Sequence, residues 1–324
     1  MQAAVIRQWG GPEHFSVETM PDPVPGPGEV IVELRASALN WHDALVRQTG
    51  RGFPTPSILG IDGAGIRRDT GDRAVILPAL DWGSNPAAPG EGFSILGDST
   101  DGTYAQLIAV PAQNLFPVPE HLSWAEAAAL PCAGLTVYRA LFTRADLQQG
   151  ETVLVIGAGS GVSTFAIMFA AAAGARVLAT SSSTDKLSAI AAIGFEQGFL
   201  YTDPDWVQQV VDATGGGVDV IINGAGANLA DALKCLKPGG RIAVFGSTGG
   251  STATIDIPAL YFGQASILGT TLGSPEDFVR MLDLVDTHKI HPLIDSEYRL
   301  SEIAEAHRHL ESKKHLGKLI LDLA

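Results

Sequence analysis

The chain has 324 residues, enough for about two domains if a domain takes roughly 150. Its 46% hydrophobic and 17% charged residues exclude disorder and a coiled coil, and its 37 glycines follow no collagen period. A net charge of -14 argues against a nucleic-acid or anionic-membrane binder, and two cysteines, Cys132 and Cys235, exclude a disulfide scaffold and a four-cysteine zinc site.

The first residues, MQAAVIRQWGG, carry no long apolar segment of the secretory kind. The longest apolar stretch, Phe165 to Ala175, is about 11 residues and too short to span a bilayer. The expectation is a soluble, cytoplasmic, two-domain protein. Residues 1–121 are rich in Pro, Gly and short apolar runs: Glu29–Leu34, Arg73–Leu77 and Tyr104–Val110. Bounded by turn signals such as Pro25-Gly26-Pro27-Gly28, these read as an all-β module. From residue 122 the texture alternates. Thr152–Ile156, Arg176–Thr180, Val218–Ile222 and Arg241–Phe245 read as strands, while Ser163–Ala173, Asp185–Ile193 and Leu229–Leu236 read as helices. Such alternation predicts an α/β module with a doubly wound parallel sheet over 122–263. The tail, 264–324, holds a strand at Ile267–Leu272, helices at Pro275–Thr287 and Ser301–Leu310, and a last strand at Lys318–Leu323. It is expected to rejoin the first domain.

The strand at 152–156 runs into Gly157-Ala158-Gly159-Ser160-Gly161-Val162-Ser163, and a helix of small residues follows at once. Glycines there permit a tight turn and bring the backbone close to a pyrophosphate at the helix N-terminus. Val162 stands where the GxGxxG pattern has its last glycine. About 20 residues on, an NADH site normally places an acid on the ribose 2′-hydroxyl. Here the chain reads Thr180-Ser181-Ser182-Ser183-Thr184-Asp185-Lys186. Hydroxyls at Ser181 and Ser182 with the cation of Lys186 accept a 2′-phosphate, which points to NADPH. The same serines also suit a helix cap, and Asp185 suits the first helical turn.

The chain resembles the medium-chain dehydrogenase/reductase superfamily, and more narrowly its zinc-independent, quinone-reductase-like branch. Seven blocks in order carry the resemblance: Ala38-Leu39-Asn40-Trp41-His42-Asp43, Leu59–Gly65, Gly71-Asp72-Arg73, Asp101–Ala105, Leu130–Thr136, Lys237–Arg241 and Gly317–Leu321. The resemblance implies a GroES-like catalytic domain, a Rossmann domain and a homodimer. It places the catalytic zinc ligands of the metal-bearing members at Asn40, Ile61 and Cys132, and their structural zinc lobe within Leu80–Thr103, which has no cysteine. Asparagine is a poor zinc ligand and isoleucine none, so both zincs are expected to be absent. It also implies cofactor contacts from Thr136, Tyr201, Phe245, Gly246, Thr270 and Lys318. Only Ile66–Thr70 separates Gly65 from Gly71, which suggests a trimmed hairpin.

Without a Lewis acid, hydride addition to an electron-poor carbon needs orientation and a proton donor. Asn40 could hydrogen-bond a carbonyl oxygen, and His42, by resemblance, stands at the proton-relay position of the zinc enzymes. Asp43 and Asp62 are expected to be structural, paired with a nearby arginine such as Arg73. The expected function is an NADPH-dependent reductase of a quinone or α,β-unsaturated carbonyl. An enoyl-thioester, alcohol or aldehyde reductase and a non-catalytic NADPH-binding protein are the alternatives. The loops Thr49–Thr55 and Leu80–Gly97 offer no charged recognition pair on this reading, and Trp41 and Trp82 suit either a flat aromatic substrate or core packing.

Overall fold

The computed structural model describes every residue except Gly52 and Ser99, which fall within the Thr49–Thr55 and Leu80–Thr103 segments. The chain forms two compact units: Met1–Leu135 with Ser274–Ala324, and Thr136–Gly273.

The first unit opens with β1 (Gln2–Ile6), β2 (Phe15–Thr19) and β3 (Glu29–Ala38). Helix α1 (Trp41–Thr49) follows, then β4 (Ser57–Ile58), β5 (Asp62–Arg67), β6 (Arg73–Ile76), β7 (Ala79–Leu80), β8 (Ser94–Ile95), β9 (Leu107–Pro111) and β10 (Leu115–Pro117). Helices α2 (Trp124–Ala129) and α3 (Pro131–Tyr138) complete this run. β3 is the longest strand, and its alternating Val32, Leu34, Ala36 and Ala38 face inward. They join Val5, Ile6, Leu59, Ile76, Tyr104, Ile108, Leu319 and Leu321 in the core. The all-β expectation is corrected by α1, a nine-residue helix of sequence WHDALVRQT between β3 and β4; the rest of the run to β10 is strands and short turns. Gly65 and Gly71 flank a tight β5–β6 hairpin, with Arg67 bonded to Asp69 across it.

The first strand of the second unit is β11 (Thr152–Ile156), with the bounds expected from sequence. It continues through α4 (Gly161–Ala172), β12 (Arg176–Ser181), α5 (Thr184–Ala189), β13 (Gln197–Leu200), α6 (Trp206–Thr214), β14 (Val218–Asn223), α7 (Leu229–Lys234), β15 (Leu236–Val244), α8 (Ile257–Phe262) and β16 (Ser266–Gly269). All six strands are parallel, in the order β13-β12-β11-β14-β15-β16. The order reverses between β11 and β14, and a doubly wound sheet binds its ligand at such a switch point. Phe165, Ile167 and Phe169 of α4 are fully buried, and the helix packs on β11 and β12.

The chain then returns through α9 (Pro275–His288), β17 (Ile294–Arg299), α10 (Ile303–Ser312) and β18 (Lys318–Asp322). β18 pairs antiparallel with β3 at Ala36–Ala38 and parallel with β17, so the tail rejoins the first sheet as expected. The boundaries differ from the expected 121 and 263. Helix α2, capped by Ser123 and Glu126, packs on β3 and β5 and so belongs with the first unit. β16, expected in the tail, hydrogen-bonds β15 as the sixth strand of the parallel sheet. Among the described residues, no helix is long and apolar enough to cross a membrane.

Candidate active site

The first unit buries a polar knot where β3 ends, β5 and β18 begin and α3 starts. The Lys318 ammonium, in a side chain only 4% exposed, donates to Leu39 O at 3.0 Å, Asn40 Oδ1 at 2.6 Å and Asp62 Oδ2 at 3.0 Å. Asp62 Oδ2 also accepts from Asn40 Nδ2 at 2.9 Å, and Oδ1 accepts from the Cys132 backbone N–H at 2.7 Å. Burial pushes the Asp62 carboxyl above its ordinary value, against the pull of Lys318, Asn40 and Cys132. Breaking such a buried pair exposes either partner to the full desolvation cost.

Three expectations change here. Asp62 pairs with Lys318 and not with Arg73, which donates to Leu122 O at 2.7 Å and lies over Trp124. Lys318, expected at the cofactor, has all three ammonium hydrogens engaged inside the first unit. Asn40, expected to donate to a carbonyl oxygen, has its amide hydrogens on Asp62 and, at 3.4 Å, on Ala38 O, with its oxygen on Lys318.

The three positions that the resemblance assigns to zinc ligands do not fit that ion. Ile61 has no donor, Asn40 is held by Lys318, and burial together with the Asp62 charge pushes the Cys132 thiol well up. Among the described residues, no three His, Cys, Asp or Glu side chains are grouped to hold a metal.

His42, second residue of α1, lies at the edge of the knot. Its Nε2 is 3.1 Å from Asp98 Oδ2 and 3.3 Å from Arg51 Nη1, and Arg51 Nη1 is itself 3.3 Å from Asp98 Oδ2. Arg51 comes from the first of the two loops and Asp98 directly follows the second, so a charged pair forms just beyond the bounds within which none was expected. Behind His42, Asp43 Oδ2 accepts from the Asn40 N–H at 2.7 Å and from the Tyr104 hydroxyl at 3.0 Å. Its burial moves the carboxyl up to about 6. Trp82 is core, 3% exposed, with its indole N–H on Asn85 O. Trp41 is half-buried beneath the Lys313 ammonium at 5.0 Å.

In the second unit, the carboxyl ends of the parallel strands gather most of the expected cofactor residues. Gly157 (φ 78°) and Gly159 (φ 114°) adopt left-handed backbone after β11. A side chain at Gly157 would project into open space. Gly157 N–H donates to Thr180 Oγ1 and Ala158 N–H to Thr180 O, which ties the loop to the end of β12. Ser160 caps α4 by accepting from the Ser163 N–H, and Gly161 and Val162 form the first turn, so free amides and the helix dipole face the strand ends.

At the end of β12 the Ser181 hydroxyl is buried without a hydrogen-bond partner, while Ser182 is exposed. Ser183 caps α5 through the Lys186 N–H. Tyr201 is partly buried against the core, and its backbone N–H donates to Ser181 O. Phe245 and Gly246 follow β15; a Cβ on Gly246 would sit 2.1 Å from Gly224 O, so only glycine allows the two strand-end loops to approach. The Thr270 hydroxyl, past β16, is a second buried group without a partner. Thr136 is buried in α3. Two orphaned hydroxyls and a glycine loop at the switch point fit a phosphate- and hydroxyl-rich ligand such as a nicotinamide dinucleotide. Sequence reasoning missed Thr180 as the loop's anchor, although its position beside Ser181 was visible.

Residues 26–120 match the alcohol dehydrogenase GroES-like domain, and residues 161–287 match the zinc-binding dehydrogenase family. A zinc-type alcohol dehydrogenase-like protein of Leptosphaeria maculans is 31% identical over 97% of this chain and 96% of its own length. A quinone oxidoreductase of Mus musculus is 30% identical over 99% of this chain and 97% of its own. The crystal structure of an NAD-dependent alcohol dehydrogenase superposes with a TM-score of 0.94 at 38% identity, with both chains fully covered. The chain is therefore an oxidoreductase whose relatives use a nicotinamide cofactor, and it belongs to the medium-chain dehydrogenase/reductase superfamily.

Proposed function

We propose that this chain is an NADPH-dependent, zinc-independent reductase of a quinone or an α,β-unsaturated carbonyl compound. The observation that carries the cofactor reading is the Ser181 hydroxyl, buried and unpartnered at the end of the second strand, where an NADH site would hold an acid. Ser182 and Lys186 stand beside it for the 2′-phosphate, the amides of 159–162 for the pyrophosphate, and Thr270 for a further polar group. When bound, the cofactor supplies a hydride.

The zinc-independent reading is supported by a donor set unsuited to that ion, with the Lys318 ammonium on Asn40 and Asp62. Since Asn40 has no spare donor, the proton falls to His42, whose imidazole is partly exposed. An acceptor already activated by conjugation needs that proton on its oxygen and no Lewis acid. The substrate side of the reading draws support from the likeness to quinone oxidoreductases. The NAD-dependent relative is the strongest counterweight to the cofactor side, and a titration decides between them.

Fluorescence titration of the protein with NADPH and NADH, side by side, is expected to give at least tenfold tighter NADPH binding, about 1.4 kcal/mol. NADPH oxidation with 1,2-naphthoquinone or 9,10-phenanthrenequinone then tests the substrate class. Equal or tighter NADH binding overturns the cofactor reading, and cofactor binding without turnover favours a non-catalytic binding protein. We further propose a homodimer, with no nucleic-acid or membrane partner.

A further inference from the structure

We propose that Asp98 is a positioning residue for proton transfer by His42, with Arg51 as the group that sets its strength. The proposal rests on the reading of His42 as proton donor and extends it to residues that neither the sequence pattern nor the resemblance pointed to.

Three observations carry it. Asp98 is the less exposed partner, 11% against 24% for His42, so a carboxylate has been taken largely out of water to face an imidazole. Its Oδ2 takes both His42 Nε2 and Arg51 Nη1, while its Oδ1 is buried with no partner. A carboxylate that served only to tie loops together would gain by using both oxygens. The third is the opposite face of the ring. Among the described residues nothing hydrogen-bonds His42 Nδ1, and that nitrogen is not one of the buried unpartnered atoms. One nitrogen is thus held by the protein, and the other is open to a reactant.

The proton account follows. With Asp98 accepting from Nε2–H, the proton on Nδ1 is the one available for transfer, and neutral His42 is kept as the Nε2–H tautomer. During reduction the acceptor gains a hydride from the cofactor and one proton from Nδ1 on its oxygen. His42 is left neutral, still donating from Nε2 to Asp98, and regains its proton from water. Arg51 faces the same Nε2. Its positive charge opposes the imidazolium that Asp98 favours, and buried Asp43 adds a weaker pull from behind the helix turn. Were Asp98 to become alanine, the acceptor at Nε2 would be gone and the Arg51 donor would remain, and the ring would be turned to its Nδ1–H tautomer, the wrong one for this path.

The tests use the full-length protein. First, 15N chemical shifts of His42 in the unaltered protein at alkaline pH should report the Nε2–H tautomer, with Asp98→Ala converting it largely to Nδ1–H. A wild-type Nδ1–H tautomer overturns the proposal without any variant.

Second, kcat and KM for NADPH oxidation by 1,2-naphthoquinone are followed against pH. His42→Gln should lower kcat about 100-fold and flatten the profile. Asp98→Asn should lower kcat at least tenfold with KM within about threefold, and should move the alkaline fall of activity to lower pH. Arg51→Gln should move that fall the other way, and Asp98→Glu should restore much of the rate. The double variant of His42→Gln and Asp98→Asn should be no slower than His42→Gln alone. If His42→Gln keeps the wild-type rate, the reading of His42 as donor fails. If His42→Gln is slow but Asp98→Asn keeps the wild-type profile, or the two losses multiply, Asp98 is structural and the proposal alone is overturned.

Discussion

His307 has no exposed surface, and neither ring nitrogen has a partner. It is packed against Phe15 at 4.8 Å and Tyr104 at 5.8 Å between ring centroids. Burial, helped by the nearby Arg47 charge, lowers it from 6.5 to about 3. The unfolded chain therefore takes up a proton at this site before the folded one does. The stability it contributes is complete above pH 6.5 and is lost at about 1.4 kcal/mol per pH unit as the pH falls towards 3. Asp43 has the opposite sign. Its folded value of about 6 lies above the ordinary 3.8, so acidification between those values favours the folded state. The two sites nearly cancel over that window in the wild-type chain. Replacing His307→Leu removes one of them. The urea-unfolding free energy of wild type minus variant should fall by about 1.4 kcal/mol for each unit of acidification from pH 6 to 4. Parallel pH curves for the two proteins would show that His307 is not held neutral by its burial.

At the scale of elements, the join of β12 to α5 has to serve two ends with one run of serines. Ser183 is a helix cap, because its hydroxyl accepts from the Lys186 N–H. Ser181 is not, since its hydroxyl lies on the strand side with no partner. If the strand end and the first turn of α5 together hold a 2′-phosphate, Lys186→Glu should weaken NADPH at least tenfold more than NADH in paired fluorescence titrations. An equal loss of both cofactors would reduce the serines to a cap.

The β11–loop–α4 unit was legible from the sequence because its signals are local: an apolar run, three glycines and a helix of small residues within 21 positions, Thr152–Ala172. The polar knot was not. Lys318 and Asp62 are 256 positions apart and His42 and Asp98 are 56 apart, and no periodicity relates them; the pairing of β18 with β3 and of β3 with β5 brings the first two together. Helix α1 was missed because its nine residues bury only Asp43, Ala44, Val46 and Arg47, two of them charged, which leaves too few apolar positions to mark a core-facing stripe in a Pro- and Gly-rich stretch.

For the whole molecule the question is what covers the far edge of the parallel sheet. β16 is its last strand, and three of its four residues are exposed. Beside it the exposed apolar side chains crowd together in sequence: Ile257 at 56%, Tyr261 at 52% and Phe262 at 78% from α8, and Ile267 at 39% from the strand itself. An open strand edge with adjacent apolar surface is a liability in a monomer, and a two-fold pairing of identical edges satisfies it. Each copy carries a charge of -14, so association has to be driven by the apolar surface and the strand hydrogen bonds against a repulsion that salt screens. Sedimentation equilibrium should therefore find a mass near twice 33.8 kDa, with a dissociation constant that falls as salt is raised. Ile267→Glu combined with Phe262→Glu places two further charges per copy on that edge and should return the protein to a 33.8 kDa monomer. Cofactor titrations of that variant should stay within a few-fold of wild type, because β16 and α8 contribute neither the glycine loop nor the Ser181 corner. A wild-type monomer, or a variant that remains dimeric, would mean that this edge is left open in solution and that any self-association uses another face.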